Sequence, residues 1–294
     1  MTDFQARLKN LTPRHQFLIA IDSDGCAFDT MEIKHKECFI PNIIKYWNLQ
    51  PIAKYARMAA EFINLYSEWR GINRFPALTM TFDLLTEWPA VQRRNCPIPE
   101  VATLRDWIKR ETKLGNPALK AEVERTGDPI LQQTLAWSEA VNRSIADMVY
   151  GVPPFPFVRE TLEAVSEWAD VLVCSATPQE ALQREWMEHG LAQYTIAITG
   201  QETGSKKEQL ALVKDLYPPG QVIMIGDALG DLNAAHANHL LFFPINPGAE
   251  ESSWESFYRE YAEKFHRGQY NLNEEHRLID EFKKFLPAIP PWKQ

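Results

Sequence analysis

The sequence predicts an α/β fold: a Rossmann-like, doubly wound parallel sheet with an all-helical domain inserted into it. Three observations carry this reading. Short β-rich apolar runs stand at Phe17 to Ile21, Val171 to Cys174, Thr195 to Thr199, Val222 to Ile225 and Leu240 to Phe243. Helix-like stretches separate the runs of the second half, which is the alternation of a parallel sheet covered on both faces. Residues from about 31 to 150 instead place Trp, Leu, Ile and Met at helical spacing with no comparable strand run.

These contrasts divide the chain into a discontinuous core, 1–30 with 152–294, and a helical insertion, 31–151. Within the insertion, helix starts are expected near Pro51, Pro76, Pro99, Pro117 and Pro129, with Pro41 starting or kinking an earlier helix; the last long helix carries Leu131, Leu135, Ile145 and Met148. The stretch Gly151 to Pro156, rich in proline, reads as the linker back to the sheet. After the run ending at Cys174, Thr177 is an expected N-cap, Pro178 the first helical residue and Glu180 the capping-box acid, with His189-Gly190 closing the helix.

Composition narrows the function classes. The 294 residues carry 39 acidic and 31 basic side chains, a formal charge of −8. That balance argues against nucleic-acid binding, which needs a basic face. Apolar runs stay far below the roughly 18 residues of a membrane span, and the polar start MTDFQARLKN is unlike a signal peptide; a soluble, cytoplasmic protein is the expectation. Cys26, Cys38, Cys96 and Cys174 have no metal-binding or framework spacing and read as reduced thiols.

Ligands of open parallel sheets sit beyond the carboxyl ends of the strands, and the polar groups of this sequence are placed accordingly. Asp22 and Asp24 follow the first run, Ser175 the second and Asp227 and Asp231 the fourth, while Lys206, adjacent to Lys207, lies just after the third. Four strand ends offering carboxylates, a hydroxyl and an amine exceed what helix capping requires.

In this ordered set the sequence resembles the haloacid dehalogenase superfamily of phosphohydrolases. The motifs are DSDGC (Asp22 to Cys26), the serine of VLVCSATP, the lysine of GSKKEQL and GDALGD (Gly226 to Asp231), with FDT at 28–30 resembling that family's run into its cap; Cys26 stands where threonine or valine is commoner. The resemblance implies a Mg²⁺-dependent phosphatase acting on small phosphomonoesters, sugar phosphates among them, with the helical insertion as the cap where specificity resides. A phosphate ester repels a carboxylate, so a nucleophilic Asp22 requires a cation, and Mg²⁺ prefers oxygen ligands.

By that analogy Asp22 attacks phosphorus to form an aspartyl-phosphate, and Asp24 protonates the leaving oxygen and then activates water. Ser175, with Ala176 and the amides of the following helix, holds phosphoryl oxygens. Lys206, preferred to Lys207, offsets charge. The metal set is Asp22, Asp24 through its backbone carbonyl, and Asp227, with Asp231 orienting the ligands or capping its helix. Within the insertion, Arg70 and Arg74 flank Gly71 and either grip a second anionic or polyhydroxyl group of the substrate or belong to a solvated loop.

Competing readings are a phosphomutase using the same intermediate, a phosphonatase recruiting a cap lysine among Lys34, Lys36, Lys45 and Lys54, and a non-catalytic scaffold. His236 and His239, spaced i, i+3, lack the further ligands of a zinc site. The stripe Trp254, Phe257, Tyr258 and Tyr261 reads as core packing.

Overall fold

Five strands, β1 (Phe17–Ile21), β2 (Ala169–Cys174), β3 (Ala197–Thr199), β4 (Val222–Gly226) and β5 (Leu241–Pro244), form one all-parallel sheet in the order β3-β2-β1-β4-β5. The computed structural model describes residues 2–293. Successive strand side chains face opposite ways, so an uninterrupted apolar run must be covered on both sides. Accordingly Ile19 and Ile21 of β1 pack with Val171, Val173, Ile223 and Ile225 on one face, and Leu18 and Ala20 pack with Leu172 and Met224 on the other.

Helix Val158–Val165, Trp186 of helix Gln179–Glu188 and Trp254 with Phe257 cover the first face. Leu8, Leu210, Leu232, Ile279 and Phe282, from helices Asp3–Lys9, Lys206–Val213, Leu229–His236 and Leu272–Phe282, cover the second. Of the aromatic stripe, Trp254, Phe257 and Tyr261 are core and Tyr258 is exposed.

The chain builds β2 and β3 on one side of β1, then returns to lay β4 and β5 on the other. Strand order therefore reverses beside β1, where an open sheet leaves a crevice at its carboxyl ends. Ile21 is in register with both Val173 and Ile225, so the loops after β1, β2 and β4 start at one level.

Two compact units result: Met1–Met31 with Gly151–Pro287, and Glu32–Tyr150 with Ala288–Gln294. The second has no strand among its described residues, with helices Ile40–Tyr46, Ala53–Leu65, Arg74–Glu87, Ala102–Arg110, Asn116–Thr126 and Pro129–Met148 around Trp47, Phe75, Phe82, Trp107 and Trp137. Asp128 caps the longest of these by accepting from the Ile130 and Leu131 amides. Pro76 sits inside the first turn of its helix, which starts at Arg74 behind the cap Asn73, and the helix expected near Pro99 begins at Ala102.

The segment from residue 288 clusters with the helical unit, although the sequence places it with the sheet. The reason is aromatic: Trp292 stacks on Trp88 with centroids 4.2 Å apart and meets the Phe62 ring edge-on at 5.6 Å, while Lys293 pairs with Glu87. No described helix is long and apolar enough to cross a membrane.

Candidate active site

The loop after β1 is a tight turn built on one carbonyl. The amides of Cys26, Ala27 and Phe28 all converge on the Ser23 oxygen at 2.9–3.3 Å, and the Asp22 amide extends the sheet ladder to the Ile225 oxygen at 3.0 Å. The Phe155 amide, from the linker, closes the turn on the Ala27 oxygen at 2.9 Å. Asp22 is thereby fixed at the switch point, and both its carboxylate oxygens are engaged: Oδ1 accepts from the Ser23 amide at 2.8 Å, and Oδ2 lies 2.8 Å from Lys206 Nζ.

Lys206 also contacts Asp231 Oδ1, whereas Lys207 is exposed. Adjacent helical residues diverge by about 100°, so Lys206 facing the site sends Lys207 outward. Lys206 opens helix Lys206–Val213, whose capping box, Ser205 with Glu208, fixes the helix start.

Asp227 follows β4 directly, and Asp231 lies in the first turn of the next helix. Asp231 Oδ2 accepts the Ala228 amide at 3.2 Å, so the residue caps its helix and faces the site at once. Close approach to the strand end makes this possible: a Cβ on Gly226 would lie 2.6 Å from Asp231 Oδ2. Asp22, Asp227 and Asp231 are all buried, and one oxygen of each lies within 4.8 Å of the others.

Burial penalises charge in this cluster. It pushes Asp22 up to about 6, with Lys206 opposing and Asp227 reinforcing. Asp231 is likewise pushed up to about 6, again by burial against Lys206. Lys206 itself is raised well above the ordinary range, because Asp22 and Asp231 outweigh its desolvation. Three carboxylates against one ammonium leave an excess of negative charge among hard oxygen donors, a set that fits an oxygen-preferring divalent cation such as Mg²⁺.

The Asp24 side chain stands apart from this trio. Its Oδ1 accepts from the Thr30 hydroxyl at 2.5 Å and its Oδ2 from the Thr177 hydroxyl at 2.7 Å. The converging carboxylates are thus 22, 227 and 231. Thr177 is not the N-cap that the sequence suggests: the helix starts at Gln179, and the Gln179 amide is satisfied by Glu202 Oε2 at 2.9 Å. The hydroxyl is diverted to Asp24. Gly190 does take the left-handed conformation, at φ +64°.

Ser175 is buried behind β2. Its amide continues the ladder to the Thr199 oxygen at 3.1 Å, and its hydroxyl accepts from the Thr177 amide at 3.2 Å. Ala176 lies between them in the same turn.

Cys26 packs with its thiol 3.6 Å from the Ile225 oxygen, and burial, then Asp227, raises its pKa well above the ordinary thiol range. The thiol stays protonated. Burial likewise raises Cys174 beyond nucleophilic use. His236 meets Glu275 at 3.1 Å, the opposite of a vacant metal ligand.

Arg70 and Arg74 belong to the helical unit. Arg70 is buried and donates through Nη1 to the Leu65 oxygen at 2.9 Å. Arg74 bonds Ser138 and Asn142.

Sequence reasoning missed Thr30, Thr177 and Ser23. The Ser23 hydroxyl donates to Glu185 Oε2 at 3.0 Å and accepts from Trp186 Nε1 at 2.9 Å, tying the turn to helix Gln179–Glu188. Thr30 carried a signal, since it ends the FDT stretch. Ser23 carried none, because its partners lie more than 160 residues away.

No protein-family model matches the chain, and no curated protein matches it. Among solved structures, it is similar to a haloacid dehalogenase-like family hydrolase from Streptococcus pneumoniae, at 15% identity, 83% of this chain, 90% of that one and a TM-score of 0.45. A haloacid dehalogenase-like hydrolase from Xanthomonas campestris aligns at 13% identity over 88% of this chain and 100% of that one, TM-score 0.48. A structure described as a predicted phosphatase from Clostridium acetobutylicum aligns at 16% over 91% and 99%, TM-score 0.43.

Proposed function

We propose that the protein is a haloacid dehalogenase-type phosphatase that hydrolyses small phosphomonoesters through an aspartyl-phosphate on Asp22, with Mg²⁺ as cofactor. The observation that carries this reading is the buried trio Asp22, Asp227 and Asp231 facing Lys206 at the switch point of the sheet. Nothing in packing requires three acids there, and burial makes their charge costly.

Asp22, Asp227 and Asp231 would hold the cation, with the Asp24 carbonyl as the further ligand the sequence resemblance suggests. Bound there, Mg²⁺ supplies charge neutralisation for an anionic phosphoryl group. The chain's own residues do the rest. Asp22, oriented by the Ser23 amide and Lys206, attacks phosphorus as the ester oxygen departs. Asp24 delivers a proton to that oxygen and afterwards takes one from the water that cleaves the acyl phosphate. The Thr30 and Thr177 hydroxyls fix the Asp24 carboxylate, while Lys206 offsets charge developing on phosphoryl oxygens. Ser175 and Ala176 are assigned to the phosphoryl oxygens themselves, at the turn before helix Gln179–Glu188.

The test is release of inorganic phosphate from an aryl phosphate and a phosphomonoester panel. Release with Mg²⁺, its loss with chelator and its loss in Asp22→Asn support the reading. Absence of release across the panel together with absence of Mg²⁺ binding overturns it in favour of a scaffold.

A further inference from the structure

The phosphoryl chemistry leaves the Arg70-Gly71-Ile72-Asn73-Arg74 stretch without a role. Its second arginine has an unusual environment. Arg74 opens helix Arg74–Glu87 and is half-buried. Its guanidinium packs over the Phe39 ring, 4.8 Å from the centroid. Nη1 donates to the Ser138 oxygen at 3.2 Å, the Ser138 hydroxyl at 3.0 Å and Asn142 Oδ1 at 2.7 Å. The Ser138 hydroxyl is itself anchored on Asn116 Oδ1 at 2.6 Å. Every partner is neutral.

Three other arginines of the same unit have carboxylate partners. Arg105 pairs with Asp83, and Arg110 and Arg125 both pair with Glu122. Around Arg74, burial alone holds the pKa down at about 10, with no charged neighbour adding to or opposing it. A guanidinium held partly away from water without a counter-ion is unfavourable, and in a chain of net charge −8 a carboxylate partner would be easy to supply.

The hydrogen bonds also leave a usable edge. All three go to Nη1, while Nε and Nη2 bond no acceptor among the described residues and are not among the buried unsatisfied polar atoms. That edge is therefore solvent-accessible. It presents two parallel N–H groups, the fork that takes a carboxylate or phosphate bidentately.

We propose that Arg74 is the anion-recognising group of a small-molecule site in the helical unit, where an oxyanion accepts paired hydrogen bonds from Nε and Nη2 while Phe39 backs the guanidinium and Ser138 and Asn142 fix its rotation. The site takes a carboxylate or phosphate group of a small molecule. It does not depend on the phosphatase reading.

The test uses the full chain with chelator present, so that the carboxylate trio repels anions and turnover plays no part. The arginine Nε–H resonances are followed while sodium malonate or inorganic phosphate is added at constant ionic strength. The Arg74 resonance, assigned by its loss in Arg74→Lys, shifts saturably in the millimolar range with at least one anion, and the two arms tell a carboxylate site from a phosphate site. Arg74→Lys keeps the charge and loses the fork, so the affinity measured on neighbouring backbone amides falls roughly tenfold; Arg74→Met removes it. No saturable shift with either anion, or undiminished affinity in Arg74→Lys, overturns the proposal, and the lysine variant alone suffices if the methionine variant does not fold.

Discussion

The Thr177 hydroxyl donates to Asp24 Oδ2 at 2.7 Å, joining the loop after β2 to the loop after β1, while the helix start beside it is served by Glu202. Positioning and capping are thus separated onto two residues. Hydrogen bonds to a charged group contribute about 1.5–3 kcal/mol. Thr177→Val is expected to lower kcat for phosphate release roughly 10- to 100-fold and to lower the melting temperature as well, because the lost bond also holds the folded state together. Glu202→Gln should lower the melting temperature with kcat little changed, and parallel kinetics and thermal melts check both.

Asp22→Asn is expected to abolish phosphate release and yet raise the melting temperature of the metal-free protein at pH 8. The carboxylate is held above its ordinary value by burial, so its ionised form works against folding there. A melt at pH 8 with chelator that drops sharply in the variant contradicts this.

Stability should depend on pH through the same cluster. Asp22 and Asp231 hold their protons up to about 6 when folded, against 3.8 ordinarily. Between those values the folded chain binds more protons than the unfolded chain, so metal-free stability falls as pH rises through about 6. Mg²⁺ favours the ionised forms, and the rise in melting temperature it produces is expected to be larger at pH 7.5 than at pH 5. Equal increments at both pH values remove the trio as the binding site.

Gly226→Ala forces a methyl group against the Asp231 side chain, 2.6 Å from Oδ2. Overpacking of this kind costs about 1–3 kcal/mol, and the displaced carboxylate no longer faces Lys206 and Asp22. Weaker Mg²⁺ binding by calorimetry and lower phosphate release are expected together; loss of stability with Mg²⁺ affinity intact argues against Asp231 as a ligand.

How much of this was legible in the sequence follows from the range of the interactions. The runs ending at Ile21, Cys174 and Ile225 are local signals, and the sheet places their following residues at one level. Lys206 over Lys207 is decided by helix phase, which sequence narrows to a choice and packing resolves. Thr177 was read by its neighbours alone, and local rules assign such a hydroxyl to a cap; only the fold brings Asp24 within reach, across 153 positions. Sequence leaves the Asp231 side chain between capping and the metal because it treats these as alternatives, whereas two oxygens allow both. Sequence shows that Arg74 is cationic, but its neutral surroundings come from Ser138 and Asn142, 64 and 68 positions further along the chain.

The stacking of Trp292 on Trp88 bears on how the polypeptide can be handled at the bench. Because the chain passes from the sheet unit back to the helical unit after Pro287, it links the two bodies at three points, after Met31, after Tyr150 and after Pro287. Trimming at 287 therefore uncovers the indole of Trp88 to water, and the fluorescence difference between the trimmed protein and its Trp88→Phe variant reports that ring.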